Sequence, residues 1–188
     1  MVLAQPPVQS KVVTLEEFLK LPETKPASEY IDGQVIQKTM PQGKHSRIQG
    51  KFLLAINAII EQQKIGCAFP ELRCTFGGRS TVPDIAVLTW INIPKDQNGE
   101  IANVISAAPD WIIEILSPDQ THTRVTKNIL HCLKHGTEMG WLIDSAEKTV
   151  FVYHPKQEIA VFDQSNDFLP VPTFISELKL TIEDFLTG

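Results

Sequence analysis

Cysteine is scarce in this chain: its 3 cysteines, Cys67, Cys74 and Cys132, are odd in number and lack Cys-x-x-Cys spacing. That argues against a disulfide framework and fits a reduced, cytoplasmic compartment. No apolar run approaches the length of a membrane span and no signal peptide is visible, so no membrane partner is expected. An excess of positive charge is missing too. The formal net charge is −5, which argues against a general basic surface that coats nucleic acid, though not against a local basic groove. There is no Gly-x-Ser-x-Gly elbow for a Ser-His-Asp hydrolase, no internal repeat and no low-complexity tract. What remains is ordinary globular composition, with 43% hydrophobic and 21% charged residues over 188 positions. That length suits one domain with a sizeable core. A single domain is expected over 13–188, preceded by a flexible arm at 1–12 that has two prolines and no periodicity.

Two acidic residues stand out because of their neighbours. Asp84 lies in Val82-Pro83-Asp84-Ile85-Ala86-Val87-Leu88, and Glu114 lies in Trp111-Ile112-Ile113-Glu114-Ile115-Leu116. Both runs read as buried strands, where a carboxylate costs several kcal/mol unless it is paired or coordinates a metal. Neither run contains a Lys or Arg, so the partner must be distant in sequence. A divalent cation held by both carboxylates is the reading with most functional content. Strand parity puts Glu114 on one face with Ile112 and Leu116, opposite Trp111, Ile113 and Ile115. Asp84 follows Pro83, which favours a strand start or an edge, so it also reads as a partly wetted strand-end carboxylate.

The remaining pattern predicts strands alternating with two long helices, an α/β or α+β sandwich. Thr14 and Glu17 form a capping box for a short helix that stops at Pro22. Asp32-Gly33 marks a hairpin within 29–39. A long helix is expected from about Lys44 to Lys64, with Gly66 as its C-cap. Two or three strands broken by Gly77-Gly78 should follow. After the central strand at Trp111–Leu116, ended by Ser117-Pro118-Asp119, come a helix at 121–135 closed by Gly136, paired strands at 139–144 and 149–154, and a terminal helix near 182–186. Lys44, Arg47 and Lys51 form a basic stripe at i, i+3 and i+7, read either as a solvated helix face or as phosphate contacts. His131 and His135 have the i, i+4 spacing of some zinc helices, but no third ligand follows at motif distance. Trp141 is most simply core.

These motifs carry a resemblance. Val-Pro-Asp-Ile-Ala-Val-Leu (82–88), Ile-Ile-Glu-Ile-Leu-Ser-Pro (112–118) and Gly-Trp-Leu-Ile-Asp (140–144), with Glu-Tyr-Ile-Asp-Gly (29–33) and His45 upstream, resemble the Uma-two-type restriction endonucleases, a cyanobacteria-rich family of the PD-(D/E)XK nuclease superfamily. The likeness spans roughly 14–186. It implies a mixed central sheet flanked by helices, in which Asp84 and Glu114 bind Mg²⁺ or Mn²⁺ for hydrolysis of DNA. Glu29 matches the family's upstream acid, a further metal or water ligand or a surface residue at a hairpin start. His45 matches the family's histidine, in contact with phosphate or water or without a catalytic role.

The lysine departs from the pattern. The superfamily motif implies one two residues after the second acid, where this chain has Leu116. The resemblance implies a second location in the following helix, where Asn128 stands beside Lys127. Lys127, or Arg124 on the flank of Asn128, is then the candidate positive charge for the scissile phosphate. Two function classes follow: a metal-dependent endonuclease, and a catalytically weak or inactive module of the same fold that binds nucleic acid or protein. A homodimer would suit cutting of both strands of a duplex.

Overall fold

The computed structural model describes residues 13–118 and 120–186; the arm at 1–12 and Asp119 lie outside the described residues. Local signals set the first elements. Thr14 and Glu17 close a reciprocal capping box on α1 (Leu15–Leu19). The hairpin of β1 (Ser28–Ile31) and β2 (Gln34–Gln37) turns at Asp32 and Gly33, both left-handed with φ of 51° and 85°, the backbone that an Asp-Gly turn supplies cheaply.

The long helix α2 (Gly43–Ile60) is shorter than its periodicity suggests, and Gly66 is not its cap. The chain leaves the helix through Lys64 at φ 57°, and Gly66 opens β3 (Gly66–Pro70). A Cβ at Gly66 would stand 2.1 Å from the Leu88 carbonyl oxygen. That glycine therefore serves strand pairing, a close approach of two backbones that sequence alone does not distinguish from a helix stop.

Next come β4 (Cys74–Phe76), β5 (Arg79–Thr81) and β6 (Ile85–Thr89), the first two joined through left-handed Gly77 and Gly78. Then follow β7 (Trp111–Ile115), α3 (His122–Lys134), β8 (Met139–Asp144), β9 (Thr149–Tyr153), β10 (Ala160–Phe162), a 3₁₀ turn (Thr173–Ile175) and α4 (Ile182–Leu186). A six-stranded mixed sheet runs β10-β9-β8-β7-β6-β3, and a four-stranded antiparallel sheet runs β2-β1-β5-β4. β7 is central, as its unbroken apolar run suggests, and pairs with β8 in parallel through the α3 crossover.

Alternation along β7 divides the core. Trp111, Ile113 and Ile115 pack with Ile48, Phe52 and Ile56 of α2 and Phe185 of α4, while Ile112 packs with Val125, Ile129 and Cys132 of α3. Trp141 is fully buried beside Phe52 and Trp111. At Gly140 an added Cβ would meet Ile129 Cγ2 at 2.3 Å, so the missing side chain lets α3 lie close on the sheet. Glu114 shares with Ile112 the face of β7 that turns toward α3. Among the described residues no helix is long and apolar enough to cross a membrane.

Candidate active site

Asp84, one residue before β6, and Glu114, in β7, are 3% and 5% exposed. The partly wetted strand-end reading of Asp84 is therefore corrected: the antiparallel pairing of β6 with β7 draws its carboxylate inward until Oδ2 accepts the Ile115 N–H at 2.7 Å. Glu29 of β1 is buried as well, and its Oε1 accepts the Val82 N–H at 2.8 Å. It is not a surface residue at a hairpin start. Three carboxylates thus meet where the two sheets approach each other.

Their counter-charge is Lys38, just beyond β2. Its Nζ lies 2.8 Å from Asp84 Oδ1 and donates to the Val82 carbonyl at 2.6 Å. The Lys38 N–H bonds Ala27 O, extending the hairpin far enough to aim the side chain inward. Burial alone would lower the Lys38 pKa, but Asp84, Glu114 and Glu29 overcome it and hold the amine above its usual value. Lys127 is exposed on α3, and among the described residues no ion pair joins it to the acids. The buried ammonium at this site comes from the hairpin. One signal pointed to it: Lys38 lies two residues beyond Ile36, on the inward face of β2.

His45 sits in the first turn of α2, buried, with Nε2 3.2 Å from Asp84 Oδ2 and Nδ1 without a hydrogen-bond partner. Arg124 reaches from α3 to within 3.8 Å of Glu29 Oε2 while remaining partly exposed. Lys44 and Lys51 donate to the carbonyl oxygens of Ser145 and Asp184, and Arg47 is exposed. The stripe is therefore partly engaged in fastening α2 to the β8–β9 turn and to α4.

The acids differ electrostatically. For Asp84, burial works toward protonation, yet Lys38 and His45 prevail and hold its carboxyl below the usual range. For Glu114, burial and the Asp84 charge outweigh Lys38 and push its carboxyl well above that range. Glu29 is also raised, chiefly by burial. One carboxyl held low beside another held high is the expected result of crowding three carboxylates around one ammonium.

No ready-made group of three or more His, Cys, Asp or Glu metal ligands occurs among the described residues. His131 bonds Phe76 O through Nε2, and His135 bonds His131 O through Nδ1, so this pair is occupied with backbone. The oxygen donors at the acid cluster are the Asp84, Glu114 and Glu29 carboxylates and the Val82 carbonyl, with the His45 imidazole beside Asp84. That set suits a hard cation, and Mg²⁺ usually takes one or two carboxylates and keeps water in its other positions.

The Uma2 family model, described as "Putative restriction endonuclease", matches residues 15–183. A crystal structure described as "a putative nuclease belonging to DUF820", from Anabaena variabilis, is 64% identical, with a TM-score of 0.92 over 93% of this chain and 98% of that one. Among curated proteins nothing matches the chain.

Proposed function

Because the chain belongs to the Uma2 family of restriction-endonuclease-like proteins, we propose that it is a divalent-metal-dependent endonuclease that hydrolyses DNA phosphodiester bonds at the Asp84–Glu114 cluster. The observation that carries this reading is Lys38: the chain has a buried ammonium on the motif aspartate, 2.8 Å away, although Leu116 and Asn128 fill the two positions where the resemblance expects one. Asp84 and Glu114 would hold Mg²⁺ or Mn²⁺. When bound, such an ion supplies charge neutralisation on the phosphodiester and acidity to water.

The chain's own residues have separable roles. Asp84 stays ionised and is the permanent anionic anchor. Glu114, whose carboxyl burial and Asp84 push upward, would be the second carboxylate ligand. Lys38, beside Asp84, would offer its charge to a phosphate held at the cluster and stabilise negative charge developing there. Glu29 fixes the Val82 peptide from which Asp84 hangs, and His45 orients the Asp84 carboxylate. Arg124, partly exposed beside Glu29, offers a guanidinium to the backbone of the substrate. In the overall reaction water adds to phosphorus and the P–O bond to the leaving sugar breaks, with the leaving oxygen taking a proton.

One observation favours the second reading, a weak or inactive binding module. Both Asp84 oxygens are already engaged, Oδ1 by Lys38 and Oδ2 by His45 and the Ile115 N–H. Supercoiled-plasmid nicking separates the two. Nicking in Mg²⁺ or Mn²⁺, abolished by EDTA and by Asp84→Ala, is expected for the nuclease. Nicking unchanged by either would refute it.

A further inference from the structure

Beside the acid cluster, between the β1–β2 hairpin and the start of α3, lies a cavity of about 310 Å³. Its lining includes Ile31, Ile36, Arg79, Arg124, Lys127 and Asn128. We propose that this cavity receives one unpaired nucleotide next to the scissile phosphate, so that the preferred substrate is single-stranded or unpaired DNA rather than continuous duplex. The inference deepens the endonuclease reading and rests on it for the position of the scissile bond.

Unmet hydrogen-bonding capacity carries it. Asn128 is 7% exposed, and its Oδ1 is buried without a partner. A buried acceptor left unpaired costs free energy in the free protein, and such groups call for an explanation. Arg79 commits Nε and Nη2 to Asp32, yet its Nη1 is buried and unpartnered. Two residues of the lining, Asn128 and Arg79, thus each keep one enclosed polar atom without a partner, beside the apolar side chains of Ile31 and Ile36. An unstacked base has the matching chemistry: donors and acceptors on its edge, and apolar faces.

The rim supplies the rest. Arg124 and Lys127 are cationic, and Arg124 lies 3.8 Å from Glu29 of the acid cluster. A nucleotide with its base in the cavity would thus set its phosphate toward the carboxylates and Lys38. A volume near 300 Å³ is at the small end of ligand sites, the scale of one base with its sugar rather than of a helix or a groove-filling strand. The net charge of −5 likewise offers no broad basic face for a duplex.

Fluorescence anisotropy with a labelled single-stranded DNA octamer and a labelled blunt-ended duplex of that octamer with its complement, in Ca²⁺, tests this directly. Wild type should bind the single strand at least about tenfold more tightly than the duplex. Asn128→Leu removes the unpaired acceptor, and Thr123→Glu adds negative charge at an exposed position on the lining. Each should weaken single-strand binding about tenfold, and Asn128→Leu should do so without lowering Tm. Equal affinity for the two DNAs, or wild-type affinity in both variants, would overturn the proposal. Single-strand preference without metal-dependent cleavage of that single strand in Mn²⁺ would defeat the nuclease reading alone; cleavage without that preference would defeat the cavity proposal alone.

Discussion

Lys38 Nζ lies 2.8 Å from Asp84 Oδ1 across 46 positions of sequence, and both side chains are more than nine-tenths buried. The pair joins the small hairpin sheet to the six-stranded sheet and supplies the cluster's one buried lysine among the described residues.

Removing that ammonium should cost stability as well as chemistry. Lys38→Met keeps the side chain's length but removes the buried ammonium that faces Asp84, Glu114 and Glu29. Urea unfolding at pH 7 should show a loss of about 3 to 5 kcal/mol, the range for breaking one side of a buried pair. A loss under about 1 kcal/mol would mean that water, not Lys38, satisfies Asp84.

Glu114→Gln should act in the opposite direction. The native carboxyl is raised well above its ordinary value by burial and by Asp84, and glutamine resembles its protonated form. Without metal the variant should therefore match or exceed wild type in Tm, while losing Mn²⁺ binding in calorimetry. A large fall in Tm would assign Glu114 to a structural ion pair instead.

The same shift fixes a pH dependence. Since the folded-state value of Glu114 is raised, the native protein binds more protons than the unfolded chain once pH exceeds the ordinary glutamate value. This group's contribution to stability then falls as pH climbs toward the raised value. Asp84, held low, contributes in the other sense: its stabilisation is present above the ordinary aspartate value and fades as pH drops toward the lowered one. A cation at Glu114 competes with a proton that the raised carboxyl binds more readily than a free one, so calorimetry in buffers of different ionisation enthalpy should register proton release on Mn²⁺ binding, with affinity rising with pH. Affinity independent of pH would contradict this.

Packing gives a test independent of charge. Gly140→Ala would set a methyl group 2.3 Å from Ile129 Cγ2, forcing α3 away from the sheet. A destabilisation of about 1 to 3 kcal/mol is expected, accompanied by weaker DNA binding because Arg124 and Asn128 move with the helix. Unchanged stability would show that α3 shifts freely.

Much of this fold is legible along the chain because its signals are local: the Thr14–Glu17 box, the Asp32-Gly33 turn, the unbroken apolar run of β7 and the stripe on α3. Gly66 misleads, because a glycine after a helical stripe looks the same whether it caps the helix or lets two strands touch. Asp84 and Glu114 can be found because charge in an apolar strand is costly wherever the strand goes. Lys38 cannot be found that way. Its neighbours are polar and its strand is short and largely exposed, so only the inward parity with Ile36 separates it from a solvated lysine. The partner of a buried charge is set by tertiary contact, and here that contact links two sheets.

The most direct measurement is single-turnover cleavage of a labelled DNA in Mn²⁺ by wild type and Lys38→Met under conditions where both are folded. The expected result is metal-dependent cleavage by wild type and a fall of about 10²-fold or more in the variant, the scale for removing one preorganised positive group from a reaction centre. Cleavage by Lys38→Met at the wild-type rate would show that the buried ammonium is structural only and that the chemistry lies elsewhere.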